Sequence, residues 1–255
     1  MPKLSVTVIT KNETANLAAA LESVQWADEI VIVDSESTDD TLTVGRRFTD
    51  RVVVREWPGY VDQKNHAASL ASHDWILSLD ADERVTPDLG AEIRSVLSSA
   101  PAHAAFRMPR VTWHLGRWIR TTDWYPDYQL RLYDRRSARW TGRYVHEALS
   151  VSGTVGDLRT DLEHRPYRNI ADHLDTINRY TTYAARQMHE GGRRGGLAQI
   201  AGHPPLAFLR NYIAHGGIRD GAPGFIISGL NAYYVFLKFA KLWELHMAQG
   251  SLPEL

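Results

Sequence analysis

The chain reads as an α/β protein: a parallel sheet with crossover helices over residues 1–100, a mixed β segment, then a helical C-terminal region. Three observations predict this. Four apolar, β-branched runs alternate with helix-like segments before Pro101. Beyond Pro101 the alternation ends, and residues 104–147 carry short β-like pieces interrupted by Trp, Arg and Gly. From Ile170 onward the pattern is helical. We therefore expect a first domain over 1–165, with halves 1–100 and 101–165, and a helical region over 166–255.

Leu4–Thr10 is apolar enough for a buried parallel strand. Leu17, Leu21 and Val24 then recur at helical spacing, with Asn12 or Thr14 as the expected cap. Glu29–Val33 is a second strand ending at Asp34, and Ser37–Thr41 opens a helix. Arg51–Arg55 is a third strand, Tyr60–Ala71 a helix and Trp75–Leu79 a fourth strand. Thr86-Pro87-Asp88 starts a capped helix with Pro at its first position. Ala104–Val111 and Tyr128–Tyr133 are the β-like pieces of the middle segment. Ile170–Met188 is amphipathic, with Ile170, Leu174, Ile177, Tyr180, Ala184 and Met188 on one face. The glycine- and arginine-rich stretch 191–196 breaks it. Leu206–Ile213 and Phe225–Leu245 are strongly apolar. Gly224–Leu237 is too short to span a bilayer and is followed by Lys238, Lys241 and Glu244. It reads as a core helix or as an interfacial one, with Tyr233, Tyr234 and Trp243 at headgroup level.

The chain has no cysteine, which excludes disulfides and thiolate metal sites. The first residues enter a strand pattern at once, so a removable export signal is not expected. A formal net charge of -1 conceals an uneven distribution. Residues 1–106 hold nine Lys and Arg against seventeen Asp and Glu, while residues 107–143 hold nine Arg against three Asp. The acidic part opposes nucleic acid, and the arginines favour phosphate or carboxylate groups on a smaller partner.

The tetrapeptide Asp80-Ala81-Asp82-Glu83 closes the fourth strand. Two carboxylates one residue apart suit Mg²⁺ or Mn²⁺, and the carboxyl edge of an open α/β sheet is where ligands bind. Thr10-Lys11-Asn12-Glu13 and Asp34-Ser35-Glu36-Ser37 reach the same edge. Read alone, Asp80 and Asp82 are more often a solvated acidic turn, and Asp34 fits a helix cap or turn equally well. No Gly-x-Gly-x-x-Gly or Gly-Lys-Ser/Thr follows the first strand, which removes the dinucleotide and P-loop readings.

Taken in order, Val8–Glu13, Val31–Ser35 with Ser37–Thr41, Gln63-Lys64-Asn65 and Leu79–Glu83 resemble family 2 glycosyltransferases of the GT-A fold. Trp124–Leu132, Val145-His146-Glu147 and the Gly221–Phe225 segment are similar to the bacterial lipopolysaccharide-core subgroup. The resemblance implies a Rossmann-like nucleotide-binding sheet with mixed acceptor-side strands, plus a C-terminal helical appendage. It implies that Thr10, Asn12, Glu13, Asp34, Ser35, Lys64, Asn65 and Asp80 hold the nucleotide-sugar, and that Asp82 and His146 ligate the cation. Asp127 would be the catalytic base and Arg131 would steady it or the leaving group. Trp124, Tyr125 and Gln129 would meet the acceptor. Lys11 stands where many members carry an aromatic residue that packs on the base.

The implied activity is inverting sugar transfer from a nucleotide-diphosphate donor, UDP-sugar favoured, to a lipid-linked saccharide such as lipopolysaccharide core. The cation stabilises the departing diphosphate and a carboxylate takes the acceptor proton. The expected place is the cytoplasm, peripheral on the inner membrane, with no nucleic-acid partner. A sugar nucleotidyltransferase and a non-catalytic sugar- or lipid-binding protein are the alternatives.

Overall fold

The computed structural model describes residues 2–99, 101–143 and 146–251. They fall into two compact units, one of Met1–Val111 with Asp127–Pro166 and one of Thr112–Pro126 with Tyr167–Leu255.

The first unit opens with β1 (Leu4–Thr10), α1 (Thr14–Glu22), β2 (Glu29–Asp34), α2 (Thr41–Gly45) and β3 (Val52–Val54). It continues with α3 (Tyr60–Leu70), β4 (Trp75–Asp80), β5 (Glu83–Val85) and α4 (Pro87–Ser98). β6 (Ala105–His114) runs on into the second unit, where β7 (Arg117–Ile119) pairs with its end. β8 (Asp127–Asp134), β9 (Ala138–Arg143), β10 (His146–Val151), β11 (Val155–Asp157) and β12 (Leu162–His164) complete the first unit.

β1 pairs in parallel with β2 on one side and with β4 on the other, and β3 extends the sheet beyond β2. The order reverses at β1, so the carboxyl ends of β1, β2 and β4 flank a topological switch point. Beyond β4 the sheet becomes antiparallel: β8 pairs with β4, β6 with β8, and the path ends β6-β12-β5. This is the expected nucleotide-type sheet with mixed strands beside it. Val6, Val8, Leu77, Leu79, Ile93, Met108 and Leu132 form its core, each less than 2% exposed. Continuous apolar runs such as Trp75–Leu79 are buried on both faces, as parallel central strands require. α4 begins as expected: the Thr86 hydroxyl accepts from the Leu89 amide at 3.1 Å, and Pro87 holds the first helical position.

α1 differs from expectation. Its N-cap is Glu13, without a side-chain cap, because the Asn12 side chain is engaged by the loop after β2.

In the second unit, α5 (Ile170–Glu190) is capped by Asn169, whose side chain accepts from the Asp172 amide. α6 (Leu197–Leu209) carries Pro204 and Pro205 and passes into a π-helical turn over Arg210–Ala214. α7 (Gly221–Ser251) packs against both α5 and α6. Lys241 turns into α5, where its ammonium donates to the Asn178 carbonyl and to the Thr181 and Thr182 hydroxyls. Gly224 lies so close to the Gly217 carbonyl that a side-chain carbon would come within 1.8 Å of its oxygen. Among the described residues, no helix is long and apolar enough to cross a membrane.

Candidate active site

Register brings Thr10 opposite Asp34 and Ile9 opposite Asp80, so the polar strand ends converge as expected. The loops after β1 and β2 are zipped together. The Asn12 amide donates to the Ser37 hydroxyl and its side-chain oxygen accepts from the Thr38 amide, both at 2.8 Å. Asn12 and Glu36 take left-handed backbone conformations, φ 56° and 58°, which shape the two turns. Asp34, fully buried, accepts from the Ser37 amide and hydroxyl. The Glu13 carboxylate accepts from the Asn16 side-chain amide. Ser35 accepts from the Gln63 side chain at 3.1 Å. The Thr10 hydroxyl and the Gln63 amide oxygen are buried with no hydrogen-bond partner. Orphaned polar atoms of that kind are rare in folded cores and call for an explanation.

Next to this edge runs a chain of alternating charges. Buried Lys64 lies 3.2 Å from Asp80 Oδ1 and 3.4 Å from Glu147, with its ammonium over the Trp140 ring. Arg131 bridges Asp80 and Glu83, and Glu83 also accepts from Arg110 at 3.0 Å. Arg110 in turn donates twice to Asp127 Oδ2, at 2.7 and 3.0 Å. Burial raises the Asp80 carboxyl pKa, but Arg131, Lys64 and Arg110 outweigh it and hold Asp80 well below the usual carboxylate range. Burial likewise works against charge on Arg131, and Asp80 and Glu83 reverse it.

Arg131 and Asn65 take particular places. Arg131 does not touch Asp127: it stands four residues further along β8, about 13 Å at strand rise. The guanidinium on Asp127 is that of Arg110, its cross-strand partner in register. Asn65 does not offer a free amide at the edge either. Both ends of its side chain bond the Trp140 backbone, at 2.9 and 3.1 Å, tying α3 to β9.

Asp82 lies at the same edge with a quarter of its side chain exposed. Its Oδ2 is 3.3 Å from His164 Nε2, delivered by β12 pairing antiparallel to β5. Burial pushes the Asp82 carboxyl up, His164 pulls it down, and the net shift is downward. The His146 side chain, the expected second ligand, lies outside the described residues. Among the described residues no three ligand-type side chains cluster. A carboxylate and an imidazole nevertheless suit a divalent cation that draws its remaining ligands from substrate oxygens and water.

A family model for glycosyl transferase family 2 matches residues 5–150, which hold the whole of this edge except His164. The chain belongs to glycosyl transferase family 2. It is 33% identical over 256 residues to a lipopolysaccharide core biosynthesis glycosyltransferase of Rhizobium meliloti, covering 96% of this chain and 94% of that one. It is 29% identical to a glycosyltransferase of Rickettsia typhi, covering 97% and 89%. Among solved structures it is similar to Staphylococcus aureus TarS residues 1–349, with a TM-score of 0.48, 14% identity and coverage of 99% and 93%. It is also similar to Mycobacterium tuberculosis glucosyl-3-phosphoglycerate synthase, with a TM-score of 0.38, 23% identity and coverage of 42% and 43%.

The expected acceptor residues of this glycosyltransferase fall in two settings. In the first unit, Gln129 donates to Asp127 Oδ1 at 2.7 Å. In the second, Trp124 packs among His114, Tyr167 and His173, and Tyr125 accepts from Arg120 beneath its guanidinium. The His114 and His173 rings meet at 3.3 Å, and burial with this neighbour lowers the His173 pKa to about 4. Sequence reasoning assigned no role to Glu83, Arg110, Glu147 or His164. Glu83 and Glu147 stood inside quoted motifs, whereas Arg110 and His164 depend on strand pairings that no motif marks.

Proposed function

We propose that this glycosyltransferase moves a sugar from a nucleotide-diphosphate donor, UDP-sugar favoured, to a lipid-linked saccharide of lipopolysaccharide core or a related envelope glycan. The observation that carries the reading is the joining of the Thr10–Asp34–Asp80–Asp82 edge to Asp127 through Arg131, Glu83 and Arg110. Similarity to the Rhizobium meliloti enzyme supports the acceptor class. The role assigned to the two orphaned atoms, on Thr10 and Gln63, is to meet the nucleoside. Asp34 would take the ribose or base once Ser37 yields, with Asn12, Glu13 and Ser35 shaping the loop.

Lys64 and Arg131 lie on Asp80 and would stabilise charge gathering on the departing diphosphate. Asp82 and His164 would hold a divalent cation, which supplies Lewis-acid stabilisation of that same charge. Asp127 pairs with Arg110. Each carboxylate oxygen has two acceptor directions, so a hydroxyl can reach Asp127 without displacing Arg110 or Gln129. Removal of the acceptor proton there, with attack on the anomeric carbon, is a single displacement and inverts the configuration. The enzyme would act on the cytoplasmic face of the inner membrane, as a peripheral protein.

The test is nucleotide release and sugar transfer followed by chromatography with purified lipid-linked acceptor. Asp127→Asn should lower kcat by ~10²–10⁴-fold while nucleotide affinity is kept. Transfer at the full rate in that variant would remove Asp127 from the base role, and a retained anomeric configuration in the product would rule out single displacement.

A further inference from the structure

The second unit carries a feature that sugar transfer does not use. In α6, the π-helical turn and the residues after it, Leu206, Leu209, Ile213, Ile218 and Phe225 are 66%, 53%, 58%, 56% and 55% exposed. Leu206, Leu209 and Ile213 follow one another at spacings of three and four, which places them along one stripe. Phe225 packs edge-on against Phe208 and Tyr212, joining the start of α7 to that surface. Soluble monomers rarely leave so many large apolar side chains together in water.

The segment that carries the stripe has charge of one sign. Residues 191–219 contain four arginines, Arg193, Arg194, Arg210 and Arg219, and no Asp or Glu. All four are exposed. Asp220, which follows, is buried and held by Arg117 and the Thr121 hydroxyl. Among the described residues none of these four arginines, nor Lys238 on α7, is paired with a carboxylate. Burial and then the nearby Arg193 and Arg210 depress the Lys238 pKa, which places the three cations close together. Repulsion left uncompensated in this way favours an anionic partner.

We infer that the face built from α6, the π-helical turn and the start of α7 docks on an anionic lipid bilayer, its leucines and phenylalanine in the acyl boundary and its arginines on lipid phosphates. The proposed contact is interfacial, along the helix face rather than through the bilayer. The inference sharpens the expectation for this region. Lys241 of α7 is turned into α5, and α6 with its turn presents the membrane face, beside the exposed Phe225 of α7. It rests on the proposal that the acceptor is lipid-linked, because only such an acceptor requires the enzyme at a bilayer.

The test is co-sedimentation of the full chain with vesicles of phosphatidylcholine alone and of phosphatidylcholine with phosphatidylglycerol. Binding should be confined to the anionic vesicles and should weaken as salt shortens the Debye length. Leu206→Glu with Leu209→Glu should reduce it at least ~10-fold, since each leucine loses its burial in the acyl boundary. Arg193→Gln with Arg210→Gln should reduce it about 5-fold per arginine, the equivalent of ~1 kcal/mol for each cation near the surface. Circular dichroism confirms that each variant is folded, and light scattering reports its association state. Three outcomes overturn the inference: equal binding to both vesicle types, no binding by folded wild type, or a dimer that the double leucine substitution dissolves. Turnover of a water-soluble, delipidated acceptor by the leucine variant distinguishes loss of docking from loss of catalysis. Loss of vesicle binding with that turnover intact supports the membrane face, whereas failure of wild type to turn over any acceptor points to the functional proposal instead.

Discussion

Replacing Glu83 by Gln removes the one negative charge that stands between Arg131 and Arg110. Glu83 is fully buried, and its Oε1 lies 2.7 Å from Arg131 and 3.0 Å from Arg110, while Oε2 accepts from the Asp80 amide. Gln keeps the shape but turns an acceptor of two guanidinium bonds into a neutral amide. Arg131, itself only 3% exposed, is then left with Asp80 alone. Removing one partner of a buried ion pair typically costs ~3–5 kcal/mol, because the remaining charge stays desolvated. Against a usual total of about 5–15 kcal/mol, that is a large share of the stability. Urea unfolding followed by fluorescence should show the unfolding free energy falling by this amount, through a lower midpoint at an unchanged m-value. The exposed pair Arg107–Asp157 is the control, and Arg107→Ala should leave the midpoint where it is. A loss below ~1 kcal/mol for Glu83→Gln, with m unchanged, would show that Glu83 is not needed to balance the two arginines. It would mean that Asp80 and Asp127 alone compensate the two arginines.

Further outcomes follow from the packing. Gly224→Ala would place a carbon 1.8 Å from the Gly217 carbonyl oxygen, so thermal denaturation should show a loss of ~3 kcal/mol or more. Thr86→Ala removes the α4 cap and should cost ~1 kcal/mol in the same assay. His173 titrates near 4 in the folded chain and near 6.5 when exposed. Between those values the unfolded state binds the extra proton, so stability is full above pH 6.5 and falls as pH drops toward 4. The loss is up to ~3 kcal/mol, and His173→Gln should flatten this slope in urea midpoints measured across the window. An unchanged slope would assign the acid sensitivity to other groups.

The parallel half of the sheet was legible because its physics is local. β1, β2 and β4 are continuous apolar runs that stop at polar residues, and helical spacing between them dictates parallel crossovers. The Thr86-Pro87 helix start held for the same reason. What the sequence did not reveal depends on register. β5 and β12 are three residues each, too short for any periodic signal, yet together they bring His164 to Asp82. Arg110 faces Asp127 only because β6 and β8 pair in one alignment, and a shift of a single residue would turn its side chain to the other face. Asn12 looked like a helix cap, since a polar residue before an apolar helix usually is one, but a left-handed turn sends its side chain to Thr38. The exposed α6 stripe lies in a segment whose apolar content was plain. Its exposure became visible only once the helices were packed.

The most direct test of the account is binding of UDP to the purified protein, with and without Mn²⁺, by thermal shift and calorimetry, in wild type and in Asp82→Asn. Stabilisation should need nucleotide and cation together, reach ~2.7 kcal/mol at a ligand concentration about 100 times Kd, and be lost in Asp82→Asn. An undiminished shift in Asp82→Asn, or no shift of folded wild type with UDP, GDP, ADP or CMP, would contradict it.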